Sequence, residues 1–104
     1  MIVKYGYFGS MKAKSGHRDQ VIKILLRAAE GVRAAGCHLY VVGVADDDDQ
    51  TILVNEVWDS KEQHDASLRL PETRAAIAEA MPMLTGEFDS REFTVLGGLG
   101  LPPE

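Results

Sequence analysis

Residues 37–58 read CHLYVVGVADDDDQTILVNEVW. Two runs rich in β-branched and aromatic residues, 37–45 and 51–58, flank the polar segment 46–50, a pattern typical of two strands joined by a turn. We therefore predict a β-hairpin with a solvated, acidic tip. The tip lacks the alternating ligand spacing, the glycine and the distal glutamate of a calcium-binding loop.

Apolar residues occupy both sides of these two strands. Ile52 and Val54 point one way, because successive side chains of a strand alternate between its faces. Leu53 and Val57 point the other way. A sheet with one face in water would alternate with polar residues, so we predict that both faces are covered. Helices can cover one face, and a second copy of the chain is the simplest cover for the other, since two-fold pairing is the commonest oligomer symmetry.

The first half of the chain predicts a strand followed by a helix. Residues 2–13 are apolar and aromatic with a rough alternation, which indicates a strand. From His17 onward, apolar residues recur three and four positions apart, as on one face of a helix: Val21, Ile24, Leu25, Ala28 and Val32. Gly36 can end this helix in a left-handed conformation without steric cost.

The second half predicts a divided helix and a last strand. Ser60 and Gln63 have the spacing of a capping box, which favours a short helix from Lys61 to Ser67. Pro71 suits the first turn of another helix. Its inward positions are predicted to be Thr73, Ile77, Met81 and Leu84, with Thr85-Gly86 closing it and residues 88–96 forming the strand.

This order of elements predicts an α+β, ferredoxin-like fold. In that fold a four-stranded antiparallel sheet carries its helices on one face, and two such sheets packed together form a dimeric α+β barrel. We predict one domain over residues 1–97 and a tail over residues 98–104.

Composition narrows the possible partners and location. The net charge of −5 and the lack of a basic stripe argue against nucleic acid binding. No apolar run approaches membrane-spanning length, and charge interrupts the N-terminus before a signal-peptide core could form, so we expect a cytoplasmic protein and no membrane partner. Cys37 is the only cysteine, and we interpret it as a small buried apolar residue.

Three stretches carry a resemblance to a known family: KSGH at 14–17, GCHLY at 36–40 and NEVWDSKEQHDAS at 55–67. The chain resembles the antibiotic biosynthesis monooxygenases, small dimeric proteins, over nearly its whole length. The most specific element is Glu-x-Trp at the end of the third strand. The resemblance implies a homodimeric, cofactor-independent oxygenase of anthrones, quinols and related phenols.

The short helix departs from the family pattern at one position. Relatives place a histidine where this chain has Ser67, and we expect His64, one helical turn earlier, to take its place. Haem-degrading members need a ligating histidine beyond a tryptophan on this helix. Leu68, Arg69 and Leu70 offer none, so haem degradation ranks last among the candidate functions.

The candidate catalytic residues are Glu56, Trp58 and His64. His64 can act as a base near neutral pH, Glu56 can act as a base or orient His64, and Trp58 can stack on a planar substrate. We expect Tyr40, Ser67 and Met81 to bind substrate. The sequence has no nucleotide-binding glycine motif and no metal-ligand cluster, so we expect no cofactor and no metal. The substrate, a small electron-rich aromatic, would then reduce molecular oxygen itself.

Other interpretations stay open. Trp58 can be a core anchor, Glu56 a helix cap or an ion-pair partner across a dimer, and His64 a solvated surface residue. The scaffold could instead carry an isomerase, which would need a base but no oxygen, or a non-catalytic module that binds a small metabolite. The sequence does not specify the substrate or the pathway.

Overall fold

The computed structural model describes residues 3–101. Its elements are β1 (Lys4–Ala13), α1 (Arg18–Ala34), β2 (Cys37–Val44), β3 (Thr51–Trp58), α2 (Lys61–Ser67), α3 (Pro71–Ala80), a 3-10 turn at Met81–Met83, and β4 (Leu84–Val95). Within these residues, four strands form one antiparallel sheet in the order β2-β3-β1-β4. The predicted α+β, ferredoxin-like fold is therefore confirmed. Residue 2 of the predicted first strand and residues 102–104 of the predicted tail lie outside the described residues.

Helices α1 and α3 pack on one face of the sheet. The buried cluster between them and the strands consists of Ala13, Val21, Ile24, Ile52, Ala80 and Leu84. The helical spacing of apolar residues after His17 thus predicts the buried side of α1 correctly. Among residues 3–101, no helix is long and apolar enough to span a bilayer. The cytoplasmic location stays a prediction.

The opposite face of the sheet carries exposed apolar side chains in the single chain, with polar residues such as Asn55 and Arg91 between them. Phe8, Val41 and Phe93 are 37%, 51% and 47% exposed. Each lies one position along its strand from residues that face the helices, and successive side chains of a strand alternate between its two faces. Each therefore points to the face that α1 and α3 leave open. The ring of Phe93 lies over Gly6, where a Cβ would come within 2.4 Å of it.

Two local signals position α2 against the end of α1. The Ser60 side chain accepts a hydrogen bond from the Gln63 backbone N–H at 3.2 Å, so the predicted cap is present. Gly36 ends α1 with φ +105°, as predicted. Its carbonyl oxygen accepts from the Asp59 N–H at 3.1 Å, and this bond ties the two helix ends together.

The prediction was wrong at the boundary between α3 and β4. The helix ends at Ala80 and the strand begins at Leu84, inside the segment predicted to be helical. Pro82 has no N–H to continue the helical ladder, which explains the early stop. Gly86, with φ +94°, lies within a bulge where β4 carries extra residues opposite β1, so it interrupts strand pairing rather than closing a helix.

The Gly36 turn can be tested by Gly36→Ala. A Cβ there would adopt a left-handed φ and approach the flexible Gln63 side chain to 2.9 Å. Strain of this kind costs about 1–3 kcal/mol, so we expect urea unfolding to show a loss in that range. Gly31→Ala is the matched control, because Gly31 lies inside α1 with open space around its missing Cβ. That change should stabilise by about 0.5–1 kcal/mol. Equal effects at both glycines would contradict this account.

Candidate active site

A row of polar side chains crosses the sheet beneath the helices. Tyr7 on β1 is directly opposite Glu56 on β3, and Glu56 is directly opposite Tyr40 on β2. All three side chains line a cavity of about 650 Å³ between the sheet and the helices. A volume of this size is typical of small-molecule sites.

The remaining walls of the cavity are mostly apolar. The apolar part is formed by Met11 and Val54 of the sheet, Ile24, Leu25 and Ala28 of α1, and Ala76, Ile77, Ala80, Met81 and Leu84 around α3, while Ser10, Thr73, Asp89 and Ser90 add polar residues to the lining. None of the described lining residues is lysine or arginine. The cavity therefore combines a row of polar side chains with a broad apolar surface.

Glu56 receives a hydrogen bond from its neighbour two positions along β3. The indole Nε1–H of Trp58 donates to Oε1 of Glu56 at 2.9 Å. Burial raises the pKa of the Glu56 carboxyl group, while the Trp58 hydrogen bond and the charge of His64 act in the opposite direction. The net effect is a raised pKa, so Glu56 holds a proton to higher pH than an exposed glutamate does.

His64 projects from α2 into a group of aromatic rings. Its ring centroid is 5.1 Å from that of Tyr7, nearly parallel, and 5.6 Å from that of Trp58, nearly perpendicular. Tyr5 contributes a third ring at 5.1 Å. The residue is only 8% exposed and lines the cavity. The interpretation of His64 as a solvated surface residue is therefore wrong.

The predicted substrate-binding residues fall into two groups. Tyr40 and Met81 line the cavity, Met81 at its rim with 49% of its surface exposed. Burial, with a contribution from Glu56, raises the pKa of the Tyr40 hydroxyl, so the group stays protonated and can donate a hydrogen bond. Ser67 does not line the cavity: it is buried, and its hydroxyl donates to the His64 carbonyl oxygen at 2.6 Å.

Trp58 lies behind the cavity rather than in it. It is 1% exposed and packs with Val32 and Cys37, which matches its interpretation as a core anchor. The Cys37 thiol is buried too, and burial raises its pKa to about 11. It is the small buried residue that the sequence predicts. Trp58 therefore acts on the site through its hydrogen bond to Glu56.

Tyr7 and Asp65 were not predicted to be site residues. Tyr7 lies on the same side of β1 as Tyr5, and the alternation of residues in the first strand predicts this shared side. The sequence alone does not predict the strand register that places Tyr7 opposite Glu56. Asp65 contacts the Nδ1 atom of His64 at 3.0 Å, a pairing between sequence neighbours on a helix that no spacing rule predicts.

Two other features of the described chain offer no comparable site. Residues 3–101 contain no group of three His, Cys, Asp or Glu side chains arranged to hold a metal ion. A wider groove of about 840 Å³ runs between α1 and the end of α3. An ion pair between Arg27 and Glu79 at 2.9 Å crosses it, and it lies apart from the row of polar side chains.

The sequence model of the antibiotic biosynthesis monooxygenase family matches residues 6–79, well over half of the chain. The chain belongs to this family. The match extends over β1 to α3, the segment that supplies every member of the polar row, together with Trp58 and His64.

Solved structures agree with this assignment. A protein of Chloroflexus aurantiacus J-10-fl, provisionally named an antibiotic biosynthesis monooxygenase, is 40% identical, with a TM-score of 0.85 over 95% of this chain and 99% of that one. A Caulobacter crescentus CB15 protein with the same provisional name is 19% identical and shows the same fold, with a TM-score of 0.83 over 90% of this chain and 91% of that one. No functionally curated protein shows significant similarity to the chain.

The raised pKa of Glu56 predicts a pH-dependent stability difference between the wild type and Glu56→Gln. Because the folded state binds this proton more tightly than the unfolded chain, the contribution is complete below the usual pKa of 4.5 and is lost as pH rises through the folded value. Glutamine keeps an oxygen for Trp58 but does not titrate. Urea unfolding from below pH 4.5 to neutral should therefore show the variant gaining stability relative to the wild type as pH rises.

The matched control is Glu62→Gln, on the exposed side of α2. Its stability should run parallel to that of the wild type across the same range. If Glu56→Gln also ran parallel, burial of a titrating Glu56 would be contradicted.

Proposed function

We propose that this protein is a cofactor-independent monooxygenase that oxidises a small electron-rich aromatic of the quinol or anthrone type, with the substrate as the reductant. The observation that carries the proposal is the cavity itself, in which Glu56, His64, Tyr7 and Tyr40 meet at one end of an apolar space. Family membership supplies the reaction class, and the cavity supplies the argument for the substrate.

The walls favour a neutral planar substrate. A volume of about 650 Å³ accommodates fused aromatic rings, and the side chains of α1 and α3 offer apolar contact on one side. The absence of lysine and arginine from the described lining leaves a carboxylated substrate without a counter-charge, next to Glu56. A phenol or quinol instead presents hydroxyl groups to the tyrosines and to His64.

The reaction needs removal of a proton followed by transfer of electrons to oxygen. Deprotonation converts the substrate to an electron-rich anion, which can reduce molecular oxygen without a bound cofactor. For an anthrone, one oxygen atom enters as the new carbonyl group, and the two methylene hydrogens leave in water with the other oxygen atom. The protein's contribution is a base, orientation and exclusion of solvent.

Each side chain then has a defined role. His64 or Glu56 accepts the proton, since both touch the cavity. Tyr40 and Tyr7 donate hydrogen bonds to substrate oxygens, Met81 covers the substrate at the rim, and Trp58 positions Glu56 from behind. Ser67 supports the backbone of α2 at His64.

Oxygen consumption with a panel of quinols and anthrones tests this proposal. We expect turnover with incorporation of one atom from ¹⁸O₂ into the product, detected by mass spectrometry. His64→Gln and Glu56→Gln should each slow turnover, by about 100-fold for the residue that acts as the base. Glu62→Gln, which changes an exposed charge on α2, should leave the rate unchanged.

Two outcomes would overturn the proposal. Conversion of the substrate at an equal rate under nitrogen would indicate proton transfer without oxidation, as in an isomerase. Wild-type rates in both His64→Gln and Glu56→Gln, with folding verified by circular dichroism, would show that the chemistry does not occur in this cavity.

We also propose that the protein works as a homodimer, with the open face of the sheet as the interface. Phe8, Val41 and Phe93 supply its exposed apolar surface. Burying large apolar side chains in this way removes them from water at a gain of roughly 25 cal/mol per Å². An identical copy offers the same apolar side chains and satisfies two-fold symmetry.

Val41→Glu tests the interface. Val41 lies on the open face of β2, so a carboxylate there should shift sedimentation from dimer to monomer. Val44→Glu is the matched control, because Val44 is on the same strand but opposite Ile52 of the buried set. It should keep the dimer. A wild-type protein that sediments as a stable monomer would contradict the proposed pairing.

A further inference from the structure

The contact between His64 and Asp65 determines where the imidazole carries its hydrogen. Nδ1 of His64 lies 3.0 Å from Oδ1 of Asp65. The hydrogen bond from His64 lowers the pKa of the Asp65 carboxyl group, and the positive charge of Lys61, whose Nζ is 3.8 Å from Oδ2, acts in the same direction. Asp65 is therefore an ionised acceptor at neutral pH. A neutral His64 next to it must hold its hydrogen on Nδ1, which leaves a free lone pair on Nε2.

The residues around His64 hold its ring in an orientation that lets the Nε2 lone pair accept a proton. Tyr7 stacks on the ring, with an interplanar angle of 26°, and Trp58 meets it edge-on at 82°. The Ser67 hydroxyl binds the His64 carbonyl oxygen at 2.6 Å and so steadies the backbone beneath the ring. Nδ1 and Nε2 flank Cε1 of the imidazole, and their hydrogen-bonding directions diverge widely. Asp65 does not line the cavity and His64 does, so Nε2 is the nitrogen left for the cavity.

We propose that Asp65 is a positioning residue that fixes His64 as its Nδ1–H tautomer and presents Nε2 as the proton acceptor of the cavity. During a turnover on an anthrone-type substrate, Nε2 takes one methylene proton, and Nδ1–H stays bound to the carboxylate. After molecular oxygen has added to the resulting carbanion, the imidazolium returns that proton to the peroxide. The O–O bond then breaks as the second hydrogen leaves the same carbon, which gives the carbonyl product and water. The kinetic part of this inference rests on the proposed oxygenase function, whereas the tautomer does not.

The two carboxyl groups near His64, those of Glu56 and Asp65, lie in different environments. Glu56 is partly buried and receives its hydrogen bond from Trp58, and within residues 3–101 it makes none to His64. Asp65 has 43% of its side chain exposed, so it stays ionised without a large desolvation cost. The other groups that face the ring are Tyr5 and Tyr7 of β1, and on α2 the charge nearest to Asp65 is Lys61.

Nitrogen-15 NMR of histidine-labelled protein reads the tautomer directly. A nitrogen that carries hydrogen and one with a free lone pair have well-separated shifts, and His64→Gln identifies the His64 signals among the three histidines. In the wild type with a neutral imidazole, we expect hydrogen on Nδ1. In Asp65→Ala the hydrogen should move predominantly to Nε2, and Asp65→Glu should restore Nδ1–H.

Glu62→Ala is the matched control. It removes the same charge from the same helix but leaves the Asp65 contact in place, so its His64 shifts should equal those of the wild type. The proposal is overturned if the wild type carries its hydrogen on Nε2, or if Asp65→Ala retains Nδ1–H. A dispersed amide spectrum verifies folding of each variant.

Steady-state kinetics provide a second measurement, which would not change if Asp65 had a purely structural role. With an accepted quinol, Asp65→Ala should lower kcat about 10-fold with KM nearly unchanged, less than the loss at the buried aspartate of a Ser-His-Asp triad because Asp65 is partly exposed. Asp65→Glu should recover part of the rate. An unchanged kcat in Asp65→Ala would overturn the catalytic part. If the wild type consumes no oxygen but shows the predicted tautomers, the oxygenase proposal fails and the positioning role of Asp65 stands.

Discussion

A carboxylate placed beneath two helices needs a hydrogen-bond donor, and the indole of Trp58 supplies it to Glu56 at 2.9 Å. Because the two residues are separated by one position on β3, the bond exists only if both point to the same side of the sheet. A slip of one residue in register would turn both to the other face. The same register sets Tyr7 and Tyr40 on either side of Glu56, so the polar end of the cavity depends on the pairing of β3 with both neighbours.

The second requirement is that α2 begins directly after β3. Only Asp59 and Ser60 separate the strand from the helix, and the Ser60 cap sets the first turn. Gly36 allows the end of α1 to approach this turn closely enough to accept the Asp59 N–H. A short helix held at both of these points brings His64 over β1 and Trp58. Local capping chemistry thus positions a side chain of the candidate site.

Elements with local signals could be predicted from the sequence, and features set by pairing could not. The bounds of β3 and α2 agree with prediction, since β-branched residues mark the strand and Ser60 marks the helix start. The boundary before β4 was missed, because Pro82 and Gly86 fit a helix end as well as a bulged strand. Glu56 and His64 could be selected by residue type and motif. The burial of Trp58 away from the cavity and the contact of Asp65 with His64 depend on packing, which no single-sequence spacing encodes.

Cys37 has a consequence for how the molecule tolerates oxidising conditions. Its thiol is enclosed beside Trp58, and a pKa of about 11 leaves almost none of it as thiolate at neutral pH. Oxidants attack the thiolate rather than the thiol, so burial and the raised pKa protect the sole sulfhydryl of the chain from oxidation. No other cysteine is present for exchange. A disulfide between two copies would need both enclosed thiols to be exposed first, so crosslinking through Cys37 requires local unfolding around Trp58.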